Sequence, residues 1–312
     1  MDPQVEGLLQ MMAAQAAASG APQTWEVPAA VARANAEQSF VAFNQPMPEG
    51  VTIADRTVPG PAGEISVKVF TPAGPGPFPL AVYFHMGGFV IGSPSTQQKL
   101  CAELALGSGA VFVSVDYRLA PEHPAPAALD DCVAAARYAV AHAAEFGADG
   151  SRYCLVGDSA GANLVAGTAI QMRDAGEPPA RLLLMLYGCF SGKTDLPSFG
   201  TNGEGKLLTT RTMEWFYEQY LSGSSLTIDD PRVSPINANL EGLPAAHLIV
   251  GSQDPLLDDS KLFARALEAA GVPTKISIYQ DQIHVFLQMT ALLDAAKKGM
   301  AEACEALRTA LA

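Results

Sequence analysis

Basic residues are scarce in this chain. Lys and Arg total 19 against 32 Asp and Glu, a formal net charge of −13. No cluster of Lys or Arg interrupts the acidic surplus, which argues against nucleic acid as a partner. The first basic residue is Arg33, and Asp2 and Glu6 precede it, so the positive start of a secretion signal is missing. No apolar run reaches the ~20 residues that a membrane-spanning helix requires. Cysteine is sparse too: Cys101, Cys132, Cys154, Cys189 and Cys304 are scattered, odd in number and never spaced Cys-X-X-Cys. That spacing suggests neither a disulfide framework nor a zinc site, and favours buried thiols in a reducing compartment. The expectation is a soluble, cytoplasmic protein.

What is present is an ordinary globular composition, 49% hydrophobic and 16% charged over 312 residues, enough for one large core. Residues 1–46 stand apart. Val5, Leu8, Leu9, Met12 and Ala13 recur at helical spacing, and a second helix is predicted from Pro28 to Phe43. From Val51 strands take over: Val51 to Val58 and Ile65 to Phe70 alternate, and Leu80 to Phe84 and Val111 to Val115 are continuous apolar runs. Further strands are predicted at Tyr153 to Val156, Leu182 to Tyr187, Leu248 to Val250 and Lys275 to Tyr279. Helices are expected over Gln97 to Ala105, over Ala127 to Glu145 with His142 inside it, and from Phe286 to the C-terminus. Alternating strands and helices imply an α/β fold with a mostly parallel sheet covered on both faces. Residues 191–230 break the alternation with glycines and then an aromatic helical stretch, Thr210 to Leu221. That insertion is too long for a plain connection. The chain therefore divides into an N-terminal helical segment (1–46), a core in two parts (47–190 and 231–312) and an inserted segment (191–230).

The stretch that carries chemistry is Gly157-Asp158-Ser159-Ala160-Gly161, with an apolar strand before it and a small-residue helical pattern after it. Strand, Gly-X-Ser-X-Gly and helix make the context of a nucleophile elbow, where glycines admit a turn that a Cβ would block. A serine hydroxyl is a poor nucleophile without a base. Of five histidines, His142 reads as a solvated helix face, His123 as part of a Pro-rich loop, His247 as a strand start and His85 as part of a glycine motif. His284 follows the last strand, at the carboxyl end where parallel sheets build sites, and is the candidate base. Asp254, after the strand Leu248 to Val250, is the candidate orienting carboxylate. Asp258 and Asp259 read instead as the start of the next helix, and Asp281 would have to fold back to reach the imidazole. Backbone N–H groups of Gly87, Gly88 and Ala160 are the candidate oxyanion donors.

These blocks resemble the hormone-sensitive-lipase-like branch of the α/β-hydrolases, the bacterial family IV esterases. The resemblance rests on His85-Met86-Gly87-Gly88-Phe89, Asp116-Tyr117-Arg118-Leu119-Ala120-Pro121-Glu122, Gly157 to Gly161, Asp254-Pro255-Leu256 and His284-Val285-Phe286, in that order. It implies a carboxylesterase acting through an acyl-enzyme, no cofactor, a lid made from residues 1–46 and 191–230, and a scaffolding role for Tyr117 to Glu122. Dimers are common among resembling proteins. Two departures stand out: Met86 where the family has glycine, and Asp281-Gln282-Ile283 where it has Gly-Met before the histidine. Met86, Phe89, Leu207, Leu208, Trp215, Phe216, Ile283 and Val285 are candidates for an apolar substrate pocket. An amidase, lactonase or deacetylase would use the same triad. A non-catalytic binder on this fold would be expected to lack His284.

Overall fold

A computed structural model describes residues 1–312, the side chain of Ala42 excepted. Helix α1 (Pro3–Ser19) begins at Asp2, whose carboxylate accepts from the Gln4 amide at 2.8 Å, and ends at left-handed Gly20. Helix α2 (Ala29–Val41) follows. The sheet then begins with the hairpin β1 (Val51–Gly60) and β2 (Gly63–Pro72), in which Gly60 pairs with Gly63. The remaining strands are β3 (Phe78–Phe84), β4 (Val111–Val115), β5 (Ala148–Asp158), β6 (Leu183–Leu186), β7 (Ala246–Gly251) and β8 (Thr274–Tyr279).

All belong to one 8-stranded sheet of order β1-β2-β4-β3-β5-β6-β7-β8, parallel from β4 to β8 with the antiparallel hairpin at one edge. Because its interior strands are buried on both faces, they carry unbroken apolar runs. Alternate residues point to opposite sides. Val82, Val113 and Leu155 meet α4 (Ala127–Ala141), α5 (Ala160–Asp174) and α8 (Leu257–Ala269). Ala81, Phe112 and Cys154 meet α3 (Gln98–Ser108) and α9 (Asp294–Leu311). All five cysteines are free and buried. Between β6 and β7 the chain forms α6 (Pro197–Asn202) and α7 (Thr210–Leu221), with Met213, Trp215, Phe216, Tyr217 and Tyr220 of α7 buried. Among the described residues no helix is long and apolar enough to cross a membrane.

Two sequence expectations need correction. The last helix starts at Asp294, not at Phe286: Val285 adopts a left-handed φ of 54°, and Phe286–Met289 form only a short 3₁₀ turn. His142 does not sit inside a helix; it caps the end of α4 and stacks on Tyr138 at 4.1 Å.

Candidate active site

The end of β5 turns sharply into α5 at Ser159, whose φ of 53° and ψ of −119° few non-glycine residues adopt. A Cβ on Gly157 would strike the Gly161 carbonyl, and one on Gly161 would strike that of Phe84. The elbow therefore closes only with glycine at both places. Its amide is fixed to β6 by Ser159 N–H donating to Leu186 O at 2.8 Å.

The imidazole arrives on the loop after β8. Its Nε2 lies 3.0 Å from Ser159 Oγ, and its Nδ1 lies 2.7 Å from Asp254 Oδ2. Ser159 and His284 are each 6% exposed and Asp254 is fully buried. The other oxygen of Asp254 accepts from the Leu256 amide at 2.8 Å, so both of its oxygens are occupied. Gln253 N–H donates to Gln282 O at 2.9 Å, and Asp281 N–H to Ser252 Oγ at 2.8 Å. These bonds lace the His284 loop to the Asp254 loop. With its imidazole supported in this way, the serine is placed for proton-coupled attack on a carbonyl.

The rejected carboxylates are used elsewhere. Asp258 accepts from Ser198 N–H at 2.9 Å, and Asp259 from the amides of Phe190 (2.9 Å) and Ser191 (3.3 Å). Both lie in the first turn of α8, as the sequence suggests, and both also anchor the start of the insertion. Gln282, one of the two departures, is buried and sends its amide to Asp2 at the start of α1, at 3.2 Å.

Gly87 and Gly88 have φ values of 127° and 59°. A Cβ would collide with the Ile91 carbonyl at the first and with the Phe216 ring at the second. Met86 needs no positive φ, which is why a side chain is accommodated there. Among the described residues the N–H groups of Gly87, Gly88 and Ala160 have no protein acceptor. The loop is braced from behind. Burial pushes His85 down to about 4, so the imidazole is neutral and its Nδ1–H donates to Met86 O at 2.7 Å. His85 stacks on Tyr117 at 4.1 Å, and the Tyr117 hydroxyl donates to His85 O at 2.7 Å. From α2, Arg33 donates to the carbonyls of Val90 (2.7 Å) and Ala120 (2.6 Å) and pairs with Glu122.

A cavity of about 550 Å³ opens over Ser159 and His284. Met86, Leu207, Leu208, Phe216 and Val285 line it, with Met12, Ala32, Ala36 and Phe40 from the first two helices and Phe43 from the turn after α2. Asn35, Gln38, Ser39 and Thr212 add polar groups to the wall. Three expected lining residues are not there. Phe89 is turned by a φ of 66° onto Tyr220, 4.0 Å away, Trp215 packs beside Phe216, and Ile283 is fully buried. The wall residues of α2 were missed because little in an Ala-rich helix marks which face meets a ligand.

The chain matches a family model described as the alpha/beta hydrolase fold over residues 81–288. It is 40% identical over 267 residues to the carboxylic ester hydrolase LipN of Mycobacterium tuberculosis, covering 84% of this chain and 71% of that protein. Identity to an ethyl acetate hydrolase of Pseudomonas putida is 36% over 229 residues, 73% of this chain and 72% of the relative. Among solved structures, an ester hydrolase from the metagenome of Lake Arreo, in complex with a bipyridine phosphonate derivative, superposes with a TM-score of 0.93. That pair is 35% identical, with 98% of each chain covered.

Proposed function

Because the chain belongs to the alpha/beta hydrolase fold family, in its hormone-sensitive-lipase-like branch, and is a carboxylic ester hydrolase, we propose that Ser159, His284 and Asp254 are its catalytic triad. The observation that carries this reading is the unbroken hydrogen-bond line from Asp254 Oδ2 through the imidazole to Ser159 Oγ, at 2.7 and 3.0 Å. Ser159 Oγ attacks the ester carbonyl while its proton passes to His284 Nε2. Negative charge then forms on the carbonyl oxygen, facing the amides of Gly87, Gly88 and Ala160. His284 returns the proton to the departing alcohol as the C–O bond breaks and the acyl-enzyme forms. Water, deprotonated by the same imidazole, releases the carboxylic acid and restores Ser159.

The substrates are short- to medium-chain esters. A cavity of about 550 Å³ with a largely apolar wall supports this, being sized for small ligands. Residues 1–46 and 191–230 act as a two-part cap, a reading supported by the cavity wall that α1, α2 and α7 contribute. The five buried free thiols support a cytoplasmic location, and the unpaired outer edge of β8 supports a homodimer joined there.

The test is a series of nitrophenyl esters from acetyl through octanoyl to palmitoyl, with the native enzyme and Ser159→Ala. Turnover is expected to peak at acetyl to octanoyl and to fall by roughly 10³-fold or more in the variant. Undiminished activity in Ser159→Ala would remove the triad, and a palmitoyl optimum would remove the chain-length assignment.

A further inference from the structure

Asp158, the residue before the nucleophile, is fully buried and takes no part in the steps above. Its carboxylate lies behind the elbow and joins three separate elements. One oxygen accepts from the Tyr83 hydroxyl of β3 at 2.5 Å. The other accepts from the Tyr187 hydroxyl, just past β6, and from Gln288 Nε2, each at 3.4 Å. Gln288 sits in the 3₁₀ turn Phe286–Met289 that immediately follows the His284 loop, and its amide also donates to Gln97 Oε1 at 2.5 Å. Tyr187 places its ring edge-on to the His284 imidazole, with centroids 5.1 Å apart. Of the two groups that converge on the second oxygen, one meets the His284 imidazole edge-on and the other sits in the turn that follows its loop.

We propose that Asp158 is a positioning residue for the ester hydrolysis: through Tyr187 and Gln288 it fixes the His284 loop against the elbow, and its negative charge favours the imidazolium that forms when Ser159 attacks. The ionisable groups coupled to its charge are Tyr83, Cys101, Tyr117, Tyr187 and His284. Burial holds the phenols and the thiol well above their ordinary values, so they stay uncharged near neutrality and the imidazolium formed during attack is the charge that Asp158 faces. Burial also pushes Asp158 up to about 6, against the hydrogen bonds from Tyr83 and Gln288 that pull it down. The carboxylate is thus ionised at neutral pH, and acid removes its charge.

The inference rests on the triad reading, and one set of variants separates the two. Asparagine at 158 keeps the volume but offers one acceptor where the carboxylate offers two, and turns an N–H toward a donor. Asp158→Asn is expected to lose about 10- to 100-fold in kcat with little change in KM, the scale of a displaced catalytic group. The acid limb of its kcat/KM profile is expected to move to lower pH, because the imidazolium has lost a favouring charge. Gln288→Leu, which cuts only the loop link, is expected to lower kcat and slow the modification of Ser159 by an aryl phosphonate, with the acid limb unmoved. A kcat/KM for Asp158→Asn within twofold of native, or a loss of activity with the acid limb in place, overturns the proposal. If Asp158→Asn does not fold, native rates of phosphonate modification in Gln288→Leu overturn it. An inactive Ser159→Ala beside a fully active Asp158→Asn removes only this role, whereas an active Ser159→Ala removes the triad itself.

Discussion

Each oxygen of Asp254 meets one fixed donor, the Leu256 amide on one side and the His284 imidazole on the other. Asn at that position cannot serve both. If its oxygen stays on the Leu256 amide, its NH₂ faces Nδ1 and selects the tautomer whose Nε2 carries the proton, so the base toward Ser159 is lost. Asp254→Asn is expected to lower kcat by about 10⁴-fold while leaving KM within a few-fold, measured on one short-chain ester at pH 8. A loss below tenfold would mean that the imidazole is oriented by something else. At this scale the sequence is most readable where geometry forbids alternatives. Glycines at 157 and 161 are required by backbone collisions, and His284 and Asp254 stand at carboxyl ends of strands, so residue type and position sufficed to propose them. Direction was not readable in the same way. Phe89 follows two glycines of positive φ and itself takes one, which swings its ring away from the cavity and onto Tyr220. Nothing local to the sequence sets that rotation.

Helix α2 is the element on which the glycine loop after β3 and the cavity wall meet. Arg33 reaches from it to the carbonyls of Val90 and Ala120 and to the Glu122 carboxylate, which the guanidinium holds down at about 2. One side chain thus ties the first helices to the glycine loop and to the Tyr117 to Glu122 block. Part of the arrangement is exposed, so the ion pair itself contributes little, and the two carbonyl bonds matter more. Arg33→Ala is expected to raise KM by about three- to tenfold, with a smaller change in kcat, because α2 loses its register over the cavity. Glu122→Gln, which keeps the carbonyl bonds, is expected to change KM by less than half as much on a logarithmic scale. Limited proteolysis should cut faster within α2 in Arg33→Ala, and equal cutting would detach the helix from this anchor. Elements differ in legibility for a related reason. Interior strands announce themselves because both faces are buried, and β3 and β4 appear as continuous apolar runs. Helix α9 begins later than its periodicity suggests because Phe286–Met289 are drawn into a 3₁₀ turn whose Gln288 is tied to Gln97 and Asp158. The functional loop there overrides the local helical preference.

Across the whole molecule, the acidic surplus does not act on stability with one sign. Glu302, half-covered between Lys275, Ser277 and Tyr279, is held at about 2 by their hydrogen bonds against the upward push of burial, and so stabilises the fold above its ordinary titration range. Asp259 is the opposite case. It is fully buried at the junction of α8 and the insertion, and burial pushes it up to about 6 although two amides donate to it. A carboxyl with its folded value raised binds a proton in the native state between about pH 4 and 6 when the unfolded chain has already lost one. Its stabilising contribution is complete below about pH 4 and is lost as pH rises through about 6, a change of about 3 kcal/mol for a displacement of this size. Asn at 259 keeps one acceptor for the Phe190 and Ser191 amides and removes the buried charge, and the second oxygen of Asp259 has no partner to lose. Asp259→Asn is therefore expected to raise the melting temperature by a few degrees at pH 8 and to change it little at pH 4.5, flattening the slope between them. Because Asp259 bonds the Phe190 and Ser191 amides rather than the proposed catalytic groups, kcat at 25 °C should stay within twofold of native. Calorimetric scans of both proteins at the two pH values decide it: a variant destabilised at pH 8 as much as at pH 4.5 would mean that the charge of Asp259 is compensated in the fold.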